Sequence, residues 1–91
     1  MIGEEVSELE RTKLLLEEAI RTLEFSKTLS DEEMINQVPG RISTAFSRFR
    51  IPASDISKIG EEIEDEEIKK MRESLRLLSH DFSERKKSFT N

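Results

Sequence analysis

Three glutamates near the start of the chain have the spacing that a divalent-cation site requires. Glu4, Glu5 and Glu8 lie one, three and four positions apart, and residues three or four apart share a face of a helix. Carboxylates that converge in this way are typical ligands of Mg²⁺. Glutamates are also favoured at helix N-termini, where they interact with the helix dipole without any bound ion. We prefer this second explanation and keep the metal site as an alternative.

A second acidic motif allows a comparison with a family of enzymes. Glu62-Ile63-Glu64-Asp65 has the pattern ExxD, and the run from Glu4 to Glu8 has the pattern EExxE. This pair resembles the motifs of the all-α nucleotide pyrophosphatases, which hold magnesium against a nucleoside triphosphate. The resemblance implies a magnesium-dependent nucleotide hydrolase with Glu4, Glu5 and Glu8 as metal ligands. More than half of the chain lies between the two motifs, a longer separation than in that family, so this function ranks third.

A basic segment in the middle of the chain points to a different chemistry. From Met34 to Ser54 there is no acidic residue, and the arginines alternate with Phe46 and Phe49. Basic residues interleaved with aromatic ones suit phosphate contact and base stacking. The run from Ile51 to Lys58 also resembles the turn and recognition-helix start of helix-turn-helix proteins. Together, the basic pattern and the resemblance predict a small nucleic-acid-binding regulator whose contacts are Arg41, Arg48, Arg50 and Lys58.

An acidic run downstream weakens the nucleic-acid hypothesis. The proposed recognition helix continues into Glu61–Glu67, where six of seven residues are acidic, and DNA phosphates would repel them. In the alternative interpretation, Phe46 and Phe49 belong to the core, and the arginines extend past this apolar surface to water. Nucleic-acid binding therefore ranks second.

The residues most used in catalysis are scarce. His80 is the only histidine, and the chain has no cysteine. A typical zinc site cannot be completed from this set, and no spacing places a nucleophile beside a base. We therefore predict a non-enzymatic protein with no catalytic residues and no cofactor.

The composition predicts a folded chain with a thin core. Charged residues make up 38% of the chain and hydrophobic residues 34%, a balance that taken alone would indicate disorder. Fifteen basic residues nearly balance twenty acidic ones, so the net charge is only −5. A chain of 91 residues buries a modest share of its surface. We expect it to fold as one domain whose core a partner completes.

Two features of the chain bear on its location. It opens with acidic residues and lacks a basic region followed by an apolar run, which predicts no export signal. No apolar stretch approaches the length of a membrane span. We therefore predict a cytoplasmic protein that does not contact membranes.

The spacing of apolar residues predicts an all-α fold with two long amphipathic helices. The first is predicted over residues 4–29 and the last over 55–87, bent near 60–66 just after a glycine. The basic residues Arg85-Lys86-Lys87 are expected to interact with the dipole at the end of the last helix. Residues 88–91 are expected to form a frayed tail.

Short helices are predicted between the two long ones. Ser30-Asp31-Glu32-Glu33 has the pattern of a capping box, in which the first and last side chains bond each other's backbone amides. The capping box predicts a helix over 31–37, and the spacing of apolar residues predicts another helix over 41–50. Pro39 and Gly40 separate the two because both disfavour a helix interior. The resulting fold is a small helical bundle.

Several apolar side chains are predicted to form a contact surface. Leu14, Phe25 and Leu77 lie off the main apolar faces of their helices and would be hard for a monomer of this size to cover. Small helical hairpins often complete their core by dimerising. The leading hypothesis is therefore a regulatory or adaptor module that associates with itself or with another helical protein through Leu14, Leu15, Phe25, Leu77 and Phe82.

Overall fold

The computed structural model describes residues 7–48 and 58–90, and these residues fold into three α-helices. Helix α1 is Glu8–Ser26, α2 is Asp31–Arg48 and α3 is Glu66–Thr90. No strand occurs in the described part of the chain, so the all-α prediction is confirmed. The molecule measures 50 × 25 × 20 Å. None of its described helices carries an apolar stretch long enough to cross a bilayer.

Within the described residues, helix α1 is shorter than the predicted helix over 4–29, whose first residues 4–6 lie outside them. Ser7 has extended backbone geometry, and its side chain accepts a hydrogen bond from the Glu10 amide at 3.1 Å, so the helix begins at Glu8. At the other end, the amides of residues 27–29 donate to carbonyls three residues back. This tighter pattern ends the helix at Ser26 rather than at residue 29.

Helix α2 is continuous, and the prediction of two short helices over 31–37 and 41–50 is wrong within the described residues. Its start is as predicted: the Ser30 amide donates to Glu33 Oε1, and the Glu33 amide donates to Ser30 Oγ, both at 3.2 Å. Pro39 then lies inside a single helix of 18 residues.

The burial of residues on both sides of Pro39 explains why the helix continues. Met34, Val38 and Ala45 are at most 2% exposed, and their spacing places them on one face of an uninterrupted helix. A proline in a helix interior costs about 3 kcal/mol because one backbone hydrogen bond is lost and the ring crowds the preceding turn. Burying three apolar side chains contributes more than this, at about 1.5–3 kcal/mol for each large one.

Replacing Pro39 with alanine is expected to stabilise the protein by about 1–2 kcal/mol, because the helix regains a backbone hydrogen bond. The gain is smaller than the full cost of a proline in a helix, because alanine also gives the unfolded chain more conformational freedom. Pro39 is exposed, so no packing is lost. The free energy of unfolding in urea measures the gain, and Ser43→Ala on the same helix is the control, with an expected change below about 0.6 kcal/mol. A loss of stability in Pro39→Ala would contradict this account of α2.

Helix α3 begins later and ends later than predicted. Asp65 caps it by accepting a hydrogen bond from the Ile68 amide at 3.0 Å, and residues 58–63 form tight turns before it. The predicted helix over 55–87 is therefore interrupted near residues 60–66, where a bend was expected. Its predicted start at residue 55 lies outside the described residues. The predicted frayed tail is wrong for residues 88–90, which are helical.

The core lies where α1 packs against both other helices. Its buried apolar side chains are Leu15, Leu16, Ala19 and Leu23 of α1, Met34, Val38, Ala45 and Phe46 of α2, Ile59 of the turn, and Ile68 and Leu75 of α3. Because α1 contacts a helix on each side, its buried face is wide enough to include Leu15. Leu15 is 0% exposed.

Polar contacts at both ends of α1 set the direction of α3. Near the start of α1, Lys13 Nζ lies 2.6 Å from a carboxylate oxygen of Glu67, and this hydrogen bond raises the pKa of the Lys13 ammonium group. Near its end, the Arg85 guanidinium donates to the Ser26 and Leu29 carbonyls at 3.0 and 2.9 Å and to Asp31 at 2.6 Å. Helix α3 therefore runs parallel to α1.

Candidate interaction surface

Leu14 and Phe25 are exposed on the same side of α1. They are separated by eleven residues, close to three helical turns, and Glu18 and Arg21 lie between them at the same angular position. Leu14 is 43% exposed and Phe25 42%. Two large apolar side chains therefore remain partly in contact with water along one edge of the helix.

Helix α2 contributes a basic edge beside them. A shallow, open groove separates the two helices and is lined by Glu18 of α1 and by residues of α2 that recur at three and four spacing. We call this surface the α1–α2 face. It consists of Leu14, Glu18, Arg21 and Phe25 of α1, and Gln37, Arg41, Thr44 and Arg48 of α2.

Arg41 connects the apolar and the basic parts of this surface. Its guanidinium carbon lies 5.0 Å from the centre of the Phe25 ring, within the range of a cation–π interaction. Arg21 is paired with Glu18 at 3.2 Å. The structure thus places the predicted interface residue Phe25 against the predicted nucleic-acid contact Arg41, and two separate hypotheses meet on one surface.

The other predicted interface residues do not belong to the α1–α2 face. Leu15 is fully buried, and Phe82 is partly buried against the core, so these two side chains stabilise the monomer. Leu77 is 52% exposed, but its neighbours one turn away on α3, among them Glu73 and Asp81, are exposed and polar. A single exposed leucine is ordinary on a protein surface.

The predicted basic residues are only partly brought together. Arg41 and Arg48 both line the groove, whereas Lys58 lies in the turn region before α3 and is not among the lining residues. Arg50 lies outside the described residues. The helix-turn-helix resemblance over Ile51–Lys58 falls almost entirely outside them as well.

The acidic residues of the metal-site alternative are spread along the chain. Glu4 and Glu5 lie outside the described residues, and Glu8 is exposed in the first turn of α1. Asp65 caps α3 and lies 4.0 Å from Lys13. Among residues 7–48 and 58–90, no three acidic or histidine side chains are grouped as a metal ion would require.

Four residues of the α1–α2 face were not predicted as site residues from the sequence, namely Glu18, Arg21, Gln37 and Thr44. Gln37 and Thr44 share the spacing of Arg41 and Arg48 on α2, so helical periodicity would have placed them on the basic edge if α2 had been predicted as one helix. Glu18 belongs to the groove because α2 packs beside it. Such a contact has no local signal in the sequence.

Comparison with known proteins identifies no relative. Neither family models, nor curated proteins, nor solved structures produce a significant match to this chain.

Proposed function

We propose that the protein is a non-enzymatic helical interaction module that self-associates, at least as a homodimer, with the α1–α2 face as its contact surface. The observation that carries the proposal is the exposure of Leu14 and Phe25, at 43% and 42%, on one edge of α1. Large apolar side chains that share a face and lie beside polar residues are typical of association sites.

The chemistry of the α1–α2 face supports association with protein. Aromatic and arginine side chains are enriched at protein interfaces and supply much of the binding energy there. Phe25 and Arg41 already hold each other in place through their ring contact, so less side-chain entropy is lost when a partner covers them. This preorganisation favours binding without a rearrangement of the fold.

Replacing Phe25 with serine is expected to weaken the dimer by about tenfold or more, as truncation of a central aromatic residue commonly does. Sedimentation equilibrium over a concentration series measures the dissociation constant. Leu77→Ser is the matched control, because Leu77 is also about half exposed but the residues one turn away from it on α3 are exposed and polar. The wild-type chain remaining monomeric at every concentration would contradict the proposed function.

Nucleic-acid binding is the alternative function, and one observation favours it. Arg41 and Arg48 lie on the same edge of α2, which has no acidic residue from Met34 to its end. Binding to phosphates must weaken steeply as salt is added. Fluorescence anisotropy with labelled single-stranded and duplex DNA at low salt tests it. Glu18 in the groove and the contact of Arg41 with Phe25 make protein association the better-supported function.

A further inference from the structure

The segment Glu61–Glu67, which we call the acidic segment, is the densest run of acidic residues in the described chain. Asp65 and Glu67 lie 4.0 and 2.6 Å from Lys13. Six of its seven residues are acidic. The side chains of Glu64 and Glu66 are 91% and 86% exposed, and they lie 3.5 and 4.0 Å from Lys69. Ion pairs this exposed contribute little to stability. These carboxylates therefore remain available for stronger pairing.

The α1–α2 face has the opposite charge. Arg21, Arg41 and Arg48 lie on it, with Glu18 as the only acidic member of the set. If two copies paired through the same face by two-fold symmetry, arginines would approach arginines, and like charges brought together at an interface are costly. An acidic partner would complement the net positive charge of this face, and each copy of the chain carries the acidic segment.

We propose that the α1–α2 face of one copy binds the acidic segment of a second copy. This inference rests on the proposed function and specifies how the association occurs. Arginine binds carboxylates through paired hydrogen bonds of defined geometry, and Arg41 is already oriented by its contact with Phe25. Leu14 and Phe25 lie beside these ion pairs and exclude water from them, which strengthens the pairs.

Charge reversal in two complementary variants tests the inference. The first variant is Arg41→Glu with Arg48→Glu, and the second is Glu62→Arg with Glu64→Arg, since Glu62 and Glu64 are exposed and lie outside the helices. Each variant alone is expected to self-associate at least about tenfold more weakly than the wild type. An equimolar mixture of the two is expected to form a mixed dimer, because opposite charges meet again in both of its face–segment contacts.

Control variants and salt separate this contact from a general effect of charge. Lys27→Glu with Lys70→Glu changes the net charge by the same amount and in the same direction as the arginine variant, at exposed positions outside the α1–α2 face, and it is expected to dimerise like the wild type. Raising the salt from about 0.1 M to about 1 M shortens the Debye length from about 10 Å to about 3 Å and is expected to weaken the wild-type dimer.

The outcomes distinguish the inference from the proposed function. If Phe25→Ser disrupts the dimer while both charge-reversal variants dimerise normally, the inference is wrong and the proposed function stands. If the mixture of the two variants fails to associate although each is folded by circular dichroism, the inference is also wrong. A wild type that stays monomeric at all concentrations would overturn both the inference and the proposed function. If such a monomer bound an oligonucleotide and the arginine variant did not, the α1–α2 face would be assigned to nucleic-acid binding.

Discussion

Replacing Gly60 with alanine is expected to destabilise the protein by about 3 kcal/mol, a large share of the roughly 5–15 kcal/mol that stabilises a typical domain. Gly60 has a positive φ of 73°, which costs about 1–2 kcal/mol for a residue with a Cβ. An added Cβ would also lie 3.0 Å from Ile68 Cγ2 and 3.1 Å from Thr12 Cγ2. Both neighbours are buried, and overpacking a well-packed site costs a further 1–3 kcal/mol or so, roughly the size of the backbone cost.

Gly40 provides the matched control for this substitution. It lies within α2, its φ is not positive, and an added Cβ would meet nothing within 4 Å. Gly40→Ala is therefore expected to stabilise the protein by about 0.5–1 kcal/mol, since alanine favours the helix interior. Urea denaturation of both variants measures the difference. Equal effects at the two positions would show that the turn at Gly60 is not formed as described.

The Gly60 substitution also has a consequence for association. The acidic segment begins directly after Gly60, and its position depends on the close approach of this glycine to Thr12 and Ile68. Disturbing the turn is expected to move the carboxylates and to weaken self-association beyond the loss in stability. A dissociation constant measured under conditions where Gly60→Ala remains folded tests this expectation.

Replacing Arg85 with methionine is expected to cost about 2–3 kcal/mol, because hydrogen bonds to a charged group contribute more than neutral ones. The Arg85 guanidinium donates to the carbonyls of Ser26 and Leu29 and twice to Asp31. These groups belong to the end of α1, to the turn that follows and to the start of α2. Without Arg85, the contacts that hold α3 against this turn are lost, while the methionine keeps the apolar length of the side chain.

Arg76 is the control for Arg85, since it is an arginine of the same helix whose described partner is local. It binds Glu73 at 2.6 Å in an exposed pair three residues apart, and this pair lowers the pKa of the Glu73 carboxyl group. Arg76→Met is expected to leave the stability nearly unchanged, because exposed ion pairs along a helix contribute little. The midpoint of urea unfolding compares the two variants, and an equally small effect of Arg85→Met would contradict the proposed role of Arg85.

Part of the candidate surface could be predicted from the sequence. The spacing of Leu14 and Phe25 placed them off the apolar face of α1, and both are exposed in the structure. Leu15 was assigned to the same surface, yet it is buried, because periodicity shows which residues share a face but not how wide the buried face is. That width depends on how many helices pack against α1. The role of Leu14 and Phe25 in association stays a prediction.

The sequence by itself determined the features that depend on neighbouring residues. The helical periodicity, the capping box of Ser30 and Glu33 and the interruption near Gly60 all follow from residues within a few positions of one another, and all are present in the structure. Their physical causes are local hydrogen bonds and backbone preferences. Such causes act whatever the rest of the chain does.

Only the tertiary structure decided the features that depend on distant residues. Arg85 was expected to complement the dipole of its own helix, but it binds carbonyls at the end of α1, 59 positions away in the sequence. Helix α2 passes through Pro39 because packing of its buried face outweighs the local cost of proline. The α1–α2 face exists for the same reason. Packing of α2 beside α1 brings Arg41 to Phe25, and these two residues alone form no pattern that the sequence reveals.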